Sequence, residues 1–176
     1  MTRRNIARDV ATAGIMIAMI EVCKLAMQGL PNIEMTSFLL ILFTLHFGHL
    51  TLLTVPALIL IEGLIYGFGL WWVMYLYAWP LLALIAYLFR KSDSAFFWAI
   101  VSGVFGLLFG LLCSFPYFFI GATAGGISGG LRALFAWWIA GIPYDLLHGA
   151  GNFALMLALY RPVSSLLRRL PKILSQ

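Results

Sequence analysis

The sequence predicts an all-α integral membrane protein, a compact bundle of six transmembrane helices with both termini on the cytoplasmic side (N-in/C-in). Of the 176 residues, 63% are hydrophobic and only 10% are charged, and the mean hydropathy is +1.01. A soluble domain carries about 25% charged residues, so most of this surface must face lipid. At about 20 residues per span, we expect one transmembrane domain, 1–176, with no appended soluble module.

Hydropathy and helix-breaking residues divide the chain into six apolar segments. The expected spans are residues 6–27, 35–47, 50–66, 70–89, 95–120 and 133–160. The glycine-rich segment 121–130 is expected to be a loop, either a mobile gate over an outer site or an unstructured linker. Pro143 is expected to kink or restart the sixth helix. The basic tail, 161–176, is expected to be an interfacial helix.

Basic residues predict the orientation. Nine of the eleven Lys and Arg residues fall on one side of a six-span bundle: Arg3, Arg4, Arg8, Arg90, Lys91, Arg161, Arg168, Arg169 and Lys172. Lys24 and Arg132 remain for the other side. Because cytoplasmic segments carry the excess of Lys and Arg, both termini are expected inside, and a prokaryotic plasma membrane is the expected location. This bias explains the pI near 9.5 and gives no indication of nucleic acid binding.

Polar and aromatic side chains gather at the predicted outer ends of the helices. An ionisable group in mid-membrane costs about 2.5–3.5 kcal/mol, so such groups usually face a cavity or a partner. The polar members are Glu21, Lys24, Asn32, Glu34, Glu62, Arg132, Asp145, His148 and Asn152. The aromatic members include Trp71, Tyr75, Tyr117 and Trp137. Aromatic residues also form belts at membrane interfaces, but polar groups among aromatics favour a ligand pocket.

Several of these groups allow a structural interpretation as well. Glu21 and Lys24 lie one turn apart and can pair. Asp145 can pair with Arg132 or His148, or it can bind a ligand; Asp145 and His148 have no second pair of ligands for a metal. Asn32 and Glu34 can cap the second span or bind a ligand.

A stripe of small residues runs along the first span at Ala7, Ala11, Gly14 and Ala18. Small residues at such spacing let helix backbones approach closely in lipid. The stripe can pack within the bundle or against a partner.

Together, six short spans, the small-residue stripe, residues 30–34 (LPNIE), residues 62–72 (EGLIYGFGLWW) and residues 141–145 (GIPYD) resemble the substrate-binding S component of an energy-coupling factor (ECF) vitamin transporter. The resemblance covers the whole chain and includes the subfamily associated with cobalamin or queuosine precursors. The stripe departs from the family pattern in having Gly14 in place of Ala.

The resemblance implies an outward-facing pocket for a vitamin or related micronutrient, with cobalamin slightly favoured. The implied ligand-binding residues are Asn32, Glu34, Trp71, Tyr75, Tyr117, Arg132, Asp145, His148 and Asn152. The implied partner-binding residues are those of the stripe. The partners would be a transmembrane coupling (T) subunit and two cytoplasmic ATPase subunits, which would bind ATP and Mg. No Walker motif occurs in this chain, and no catalytic residue, cofactor or metal is expected in it. The alternatives are a membrane-embedded enzyme, with Asp145 and His148 as its candidate residues, or another small transporter or structural membrane protein.

Overall fold

The computed structural model describes residues 6–169, and the regular secondary structure of this part is entirely helical. The helices are α1 (Ile6–Ala26), α2 (Thr36–Phe47), a short 3-10 turn (Gly48–Leu50), α3 (Thr51–Tyr66), α4 (Leu70–Leu88) and a long helical stretch, Ala95–Leu167. The backbone of that stretch leaves helical geometry at Gly125 and Gly126, which divides it into α5 (95–124) and α6 (127–167). The predicted all-α class is confirmed, and α1 to α4 lie where hydropathy places the first four spans.

The contacts between helices show that successive helices run in alternating directions. α1 and α3 are parallel, since Thr54 lies against Met16 and Tyr66 against Glu21. The end of α2 meets the end of α6 where His46 lies 2.9 Å from the hydroxyl of Ser164. We call the end of the bundle that holds Lys24, Glu34 and Glu62 the polar end. The opposite end, which holds Arg90, Asp93 and Arg168, is called the basic end.

α2 is the central helix of the bundle. Nine consecutive residues, Thr36 to Thr44, are buried on every side of the helix. A helix that is apolar all round must be enclosed by others. Its neighbours contribute Trp79, Leu82, Trp98 and Met156 to the same core.

α5 and α6 form an antiparallel hairpin with very close backbones. A Cβ atom added at Gly106 would lie 2.8 Å from the Cα of Gly149, so neither position has room for a side chain. The hairpin turns at Gly126, whose φ of +60° and ψ of −157° belong to a region that is essentially open to glycine alone. The prediction of a loop over 121–130 is therefore wrong, because these glycines continue both helices up to one sharp break.

Two further expectations concern α6. Pro143 does not restart the helix, since α6 continues through it and the non-helical residues are Gly125 and Gly126. Membrane helices tolerate an internal proline where neighbouring groups satisfy the freed carbonyl. The start of the basic tail, 161–167, continues α6, whereas residues 170–176, together with Arg3 and Arg4, lie outside the described residues.

Length and composition make three helical stretches of the described part apolar enough to cross a membrane. They are Thr36–Tyr66, Leu70–Leu88 and Ala95–Leu167. α1 is less apolar because it carries Arg8, Asp9, Glu21 and Lys24. The described part of the chain is thus helical, with three stretches that could cross a membrane.

Candidate ligand-binding site

A cavity of about 230 Å³ opens at the polar end of the bundle. Its walls come from the end of α1, the loop that follows it, α4, α5 and α6. The lining residues are Lys24, Met27, Gln28, Leu30, Asn32, Ile33, Glu34, Tyr75, Phe109, Asp145 and His148. Five of the nine predicted ligand-binding residues therefore meet in one cavity: Asn32, Glu34, Tyr75, Asp145 and His148.

Asp145 is fixed to the opposite arm of the hairpin. Its Oδ1 accepts a hydrogen bond of 2.9 Å from the backbone N–H of Gly110. A side chain at Gly110 would collide with the carboxylate, so glycine is required for this approach. The second oxygen, Oδ2, is buried and has no hydrogen-bond partner among the described residues. One half of the carboxylate is therefore anchored and the other half is available.

His148 lies one turn further along α6. Its ring packs edge-on against Phe109, with 5.0 Å between the ring centroids. Its Nε2 is buried and has no hydrogen bond in the described part of the chain; the nearest acidic oxygen, Oε1 of Glu34, is 3.8 Å away. A buried polar atom without a partner costs about 1–3 kcal/mol. A ligand that bonded to Nε2 of His148 and Oδ2 of Asp145 would remove that cost at two atoms.

Glu34 reaches the cavity from the loop before α2. Its Oε2 accepts a hydrogen bond of 3.0 Å from the hydroxyl of Thr36. Burial raises the pKa of the Glu34 carboxyl, while the charge of Lys24 and the bond from Thr36 oppose that rise. Met35 is the residue that precedes α2, with no side-chain cap, so neither Asn32 nor Glu34 caps this helix. Asn32 lies in the loop with a φ of +55°, a conformation that asparagine tolerates.

Lys24 forms an ion pair with Glu62 of α3. Its ammonium also lies 5.5 Å from the ring centroid of Tyr66 and 5.7 Å from that of Tyr75. Glu21 is not its partner, since Oε2 of Glu21 instead accepts a 3.1 Å hydrogen bond from the hydroxyl of Tyr66. The pairing across helices follows from burial, because Glu62 is fully buried and a buried carboxylate needs a cation more than a half-exposed one does.

An aromatic ladder connects the cavity to its surroundings. The ring centroids of Trp71 and Tyr75 are 5.2 Å apart, those of Tyr75 and Trp79 5.1 Å, and those of Trp79 and Phe109 5.4 Å. Trp71 does not line the main cavity. It borders a neighbouring hollow of about 250 Å³ that shares Lys24, Gln28 and Tyr75 with the cavity.

The remaining predicted ligand-binding residues lie away from the cavity. Tyr117 stacks on Trp137 with 3.9 Å between the centroids. Arg132 bonds to the backbone carbonyl four residues before it and is not the partner of Asp145. Asn152 is buried two turns below Asp145, and its amide reaches a carbonyl of α5 at 3.5 Å. Tyr117 and Arg132 lie in the hairpin near its turn. The two helices of the hairpin continue closer to that turn than the predicted spans do.

Six lining residues were not among the predicted ones: Lys24, Met27, Gln28, Leu30, Ile33 and Phe109. Lys24 and Gln28 carry a usable signal, since they are polar residues four positions apart where the first apolar segment ends. Met27 adjoins them. Phe109 gives no signal in the sequence, because it is one of many phenylalanines in an apolar run.

The small-residue stripe faces away from the bundle. Ala7, Ala11, Gly14 and Ala18 are all exposed, and a Cβ atom added at Gly14 would meet nothing within 4 Å. α1 packs instead through Ala13, Met16, Ile17 and Ile20. In this chain the stripe is therefore an outer surface, not an internal contact.

Within residues 6–169, no three His, Cys, Asp or Glu side chains are grouped as ligands of a metal ion would be. Comparisons with protein-family models, with curated proteins and with solved structures gave no match.

Proposed function

We propose that this chain is the substrate-capture (S) component of an ECF-type importer and that it binds a small micronutrient in the cavity at the polar end. The observation that supports this most is the pair of unpartnered buried atoms, Oδ2 of Asp145 and Nε2 of His148, in the cavity wall. A chain this poor in polar residues does not gain stability from leaving two of them without partners. A bound solute could supply the missing hydrogen-bond partner to both atoms.

The chemistry of the wall suggests the class of solute. Glu34 and Asp145 offer acceptor oxygens, His148 offers a ring nitrogen, and Tyr75 and Phe109 offer aromatic surface. This set suits a planar heterocycle with N–H donors. Pockets for drug-sized ligands are about 300–1,000 Å³, so a cavity of about 230 Å³ favours one or two fused rings. Among the micronutrients associated with the family, a precursor of queuosine fits this size better than cobalamin does.

The proposal includes a six-span, N-in/C-in topology in a prokaryotic plasma membrane. The alternating helix directions and the concentration of Arg and Lys at the basic end support it. Thiol labelling at Ser128→Cys provides a direct test. A membrane-impermeant reagent applied to intact cells should label this cysteine, and labelling from the cytoplasmic side alone would contradict the orientation.

In the proposed assembly, the exposed stripe on α1 contacts a transmembrane coupling (T) subunit, and two cytoplasmic ATPase subunits bind ATP and Mg. Small residues are what close approach of a partner helix requires. Ala11→Trp should abolish ATP-driven uptake in vesicles while leaving the stability of the isolated chain unchanged, because Ala11 is exposed. Met19→Trp is the matched control, since Met19 is exposed on another face of α1. Equal effects of the two substitutions would contradict the assignment.

Binding is tested on the purified chain without partners. Thermal stabilisation is measured against a panel of vitamins and heterocyclic precursors, and co-purifying solutes are identified by mass spectrometry. Asp145→Asn or His148→Ala should weaken binding of the stabilising compound about 10- to 100-fold, the value of a hydrogen bond to a charged or buried group. Arg132→Gln is the control, since Arg132 lies outside the cavity. The proposal fails if no compound stabilises the intact protein.

A further inference from the structure

A second and larger cavity, of about 700 Å³, lies at the basic end. It is a groove between α3 and α4, separate from the ligand site at the polar end. Its apolar walls are formed by Leu52, Val55 and Pro56 of α3 and by Pro80, Ala83 and Leu84 of α4. Leu52 and Leu84 are 80% and 53% exposed, so the groove opens toward the surface that faces lipid.

The mouth of the groove is basic. Arg90 and His49 line it, and the guanidinium carbon of Arg90 lies 4.0 Å from the ring centroid of Tyr87. Among residues 6–169, no carboxylate pairs with Arg90. Stacking on Tyr87 holds the guanidinium at the groove while its N–H donors stay free for an anion.

Thr51 adds a polar group inside the groove. It is only 3% exposed, and its hydroxyl has no hydrogen-bond partner in the described part of the chain. By contrast, the hydroxyl of Thr44, which also lines the groove, bonds to the carbonyl of Leu40. The hydroxyl of Thr51 is therefore available to donate a hydrogen bond to a molecule in the groove.

The length of the groove matches one leaflet of a bilayer. Along the 3-10 turn and the start of α3 it extends from Gly48 to Pro56. Eight residues of helix rise about 12 Å, and one leaflet of the hydrocarbon core is about 15 Å thick. A molecule that fills the groove therefore has its polar part at the membrane surface and its apolar part within one leaflet.

We propose that this groove is a binding site for an anionic phospholipid. One acyl chain lies between α3 and α4, the phosphate contacts Arg90, and an ester or phosphate oxygen accepts a hydrogen bond from Thr51. The charge of Arg90 makes the site selective for a headgroup with net negative charge over a zwitterionic one. The site does not depend on the proposed solute-binding function, because none of its residues lines the cavity at the polar end.

Native mass spectrometry of the detergent-purified protein tests this, with phosphatidylglycerol and phosphatidylcholine of identical acyl chains as probes. The wild type should retain phosphatidylglycerol in preference. Arg90→Gln should weaken that retention about fivefold, the effect of one basic residue near an anionic headgroup, and should weaken retention of phosphatidylcholine less. Lys91→Gln is the matched control, because Lys91 is the adjacent exposed base and does not line the groove.

Two further variants test the groove itself. Ala83→Phe fills it and should reduce retention of both lipids, and Thr51→Val removes the hydroxyl at nearly constant volume and should reduce retention of phosphatidylglycerol. Equal retention of the two lipids by the wild type would overturn the proposal, as would equal effects of Arg90→Gln and Lys91→Gln. Arg90 and Lys91 are both exposed, so the comparison of their variants stands even if Ala83→Phe misfolds. Crosslinking of Leu84→Cys to a partner chain, with lipid retention unaffected by Arg90→Gln, would show that a protein helix occupies the groove.

Discussion

The ion pair between Lys24 and Glu62 joins α1 to α3 through a buried carboxylate. Glu62 has no exposed surface, and its second oxygen has no partner among the described residues; the Lys24 side chain is 19% exposed. The charge of Lys24 also interacts with the carboxylates of Glu34 and Glu21. Lys24→Met therefore leaves the buried carboxylate of Glu62 without a compensating positive charge. The carboxylates of Glu21 and Glu34 lie near enough to interact with it.

The expected cost is large. Breaking a buried pair by removing one partner destabilises a protein by about 3–5 kcal/mol, because the remaining charge stays desolvated. Replacing both members by apolar groups of similar volume is often neutral or stabilising. The double variant Lys24→Met/Glu62→Leu should therefore recover most of the stability that the single substitution loses.

The free energy of unfolding is measured by denaturant titration in detergent micelles for the wild type, the single variant and the double variant. Lys91→Met is the control, since Lys91 is exposed and a surface substitution usually changes stability by less than about 0.5 kcal/mol. The reasoning is refuted if Lys24→Met costs no more than Lys91→Met, or if the double variant is as unstable as the single one.

Two other predictions concern the basic end and the hairpin. A hydrogen bond from Arg168, and a weaker effect of one from Tyr160, lower the pKa of Asp93. These contacts therefore stabilise the fold above the unfolded pKa of about 3.9, and that stabilisation is lost as pH falls through the lower folded pKa. The free energy of unfolding should depend less on pH on the acid side in Asp93→Asn, and identical pH profiles would contradict this. Gly149→Val should destabilise the protein by about 1–3 kcal/mol by forcing α5 and α6 apart, whereas Gly141→Ala, with nothing within 4 Å of the added carbon, should be neutral or stabilising in the same unfolding assay.

The sequence predicts the helices better than the connections. Hydropathy together with glycine and proline places α1 to α4 within a residue or two, because an apolar run in lipid can satisfy its backbone only as a helix. The segment 121–130 fails for a specific reason. Glycine has low helix propensity and is read as a loop, yet here its small size lets two helices touch, since a Cβ atom at Gly129 would lie 2.7 Å from the carbonyl oxygen of Gly121.

The candidate site is predictable in part. Glu34, Asp145 and His148 stand out because polar groups are expensive in an apolar chain, and they do line one cavity. The partner of Lys24 is not predictable from spacing, because Glu62 lies 38 residues away and the pairing depends on how α1 and α3 pack. Helix length accounts for the difference at Tyr117. An expected end at residue 120 places Tyr117 beside the site, whereas α5 continues to residue 124 and carries that ring away from the cavity.

Substitutions at the turn of the hairpin distinguish a mobile gate from a rigid connection. Gly126 has a φ of +60° and a ψ of −157°, and a residue with a side chain is strained there by about 1–3 kcal/mol. Gly125 has a φ of −131° and a ψ of 17°, with open space around it, so other residues are tolerated. Gly126→Ala should therefore lower the free energy of unfolding by about that amount, and Gly125→Ala should not.

Hydrogen exchange tests the same turn without a ligand. Hydroxyls on both sides of the break bond to backbone carbonyls three residues earlier, that of Thr123 to Ile120 at 2.7 Å and that of Ser128 to Gly125 at 3.2 Å. The amides of 121–124 and 129–132 should therefore exchange slowly in the wild type and faster in Gly126→Ala, because the strain at the break is relieved by opening the adjoining turns. Fast exchange throughout 121–130 in the wild type, together with no loss of stability in Gly126→Ala, would mean that the segment moves freely.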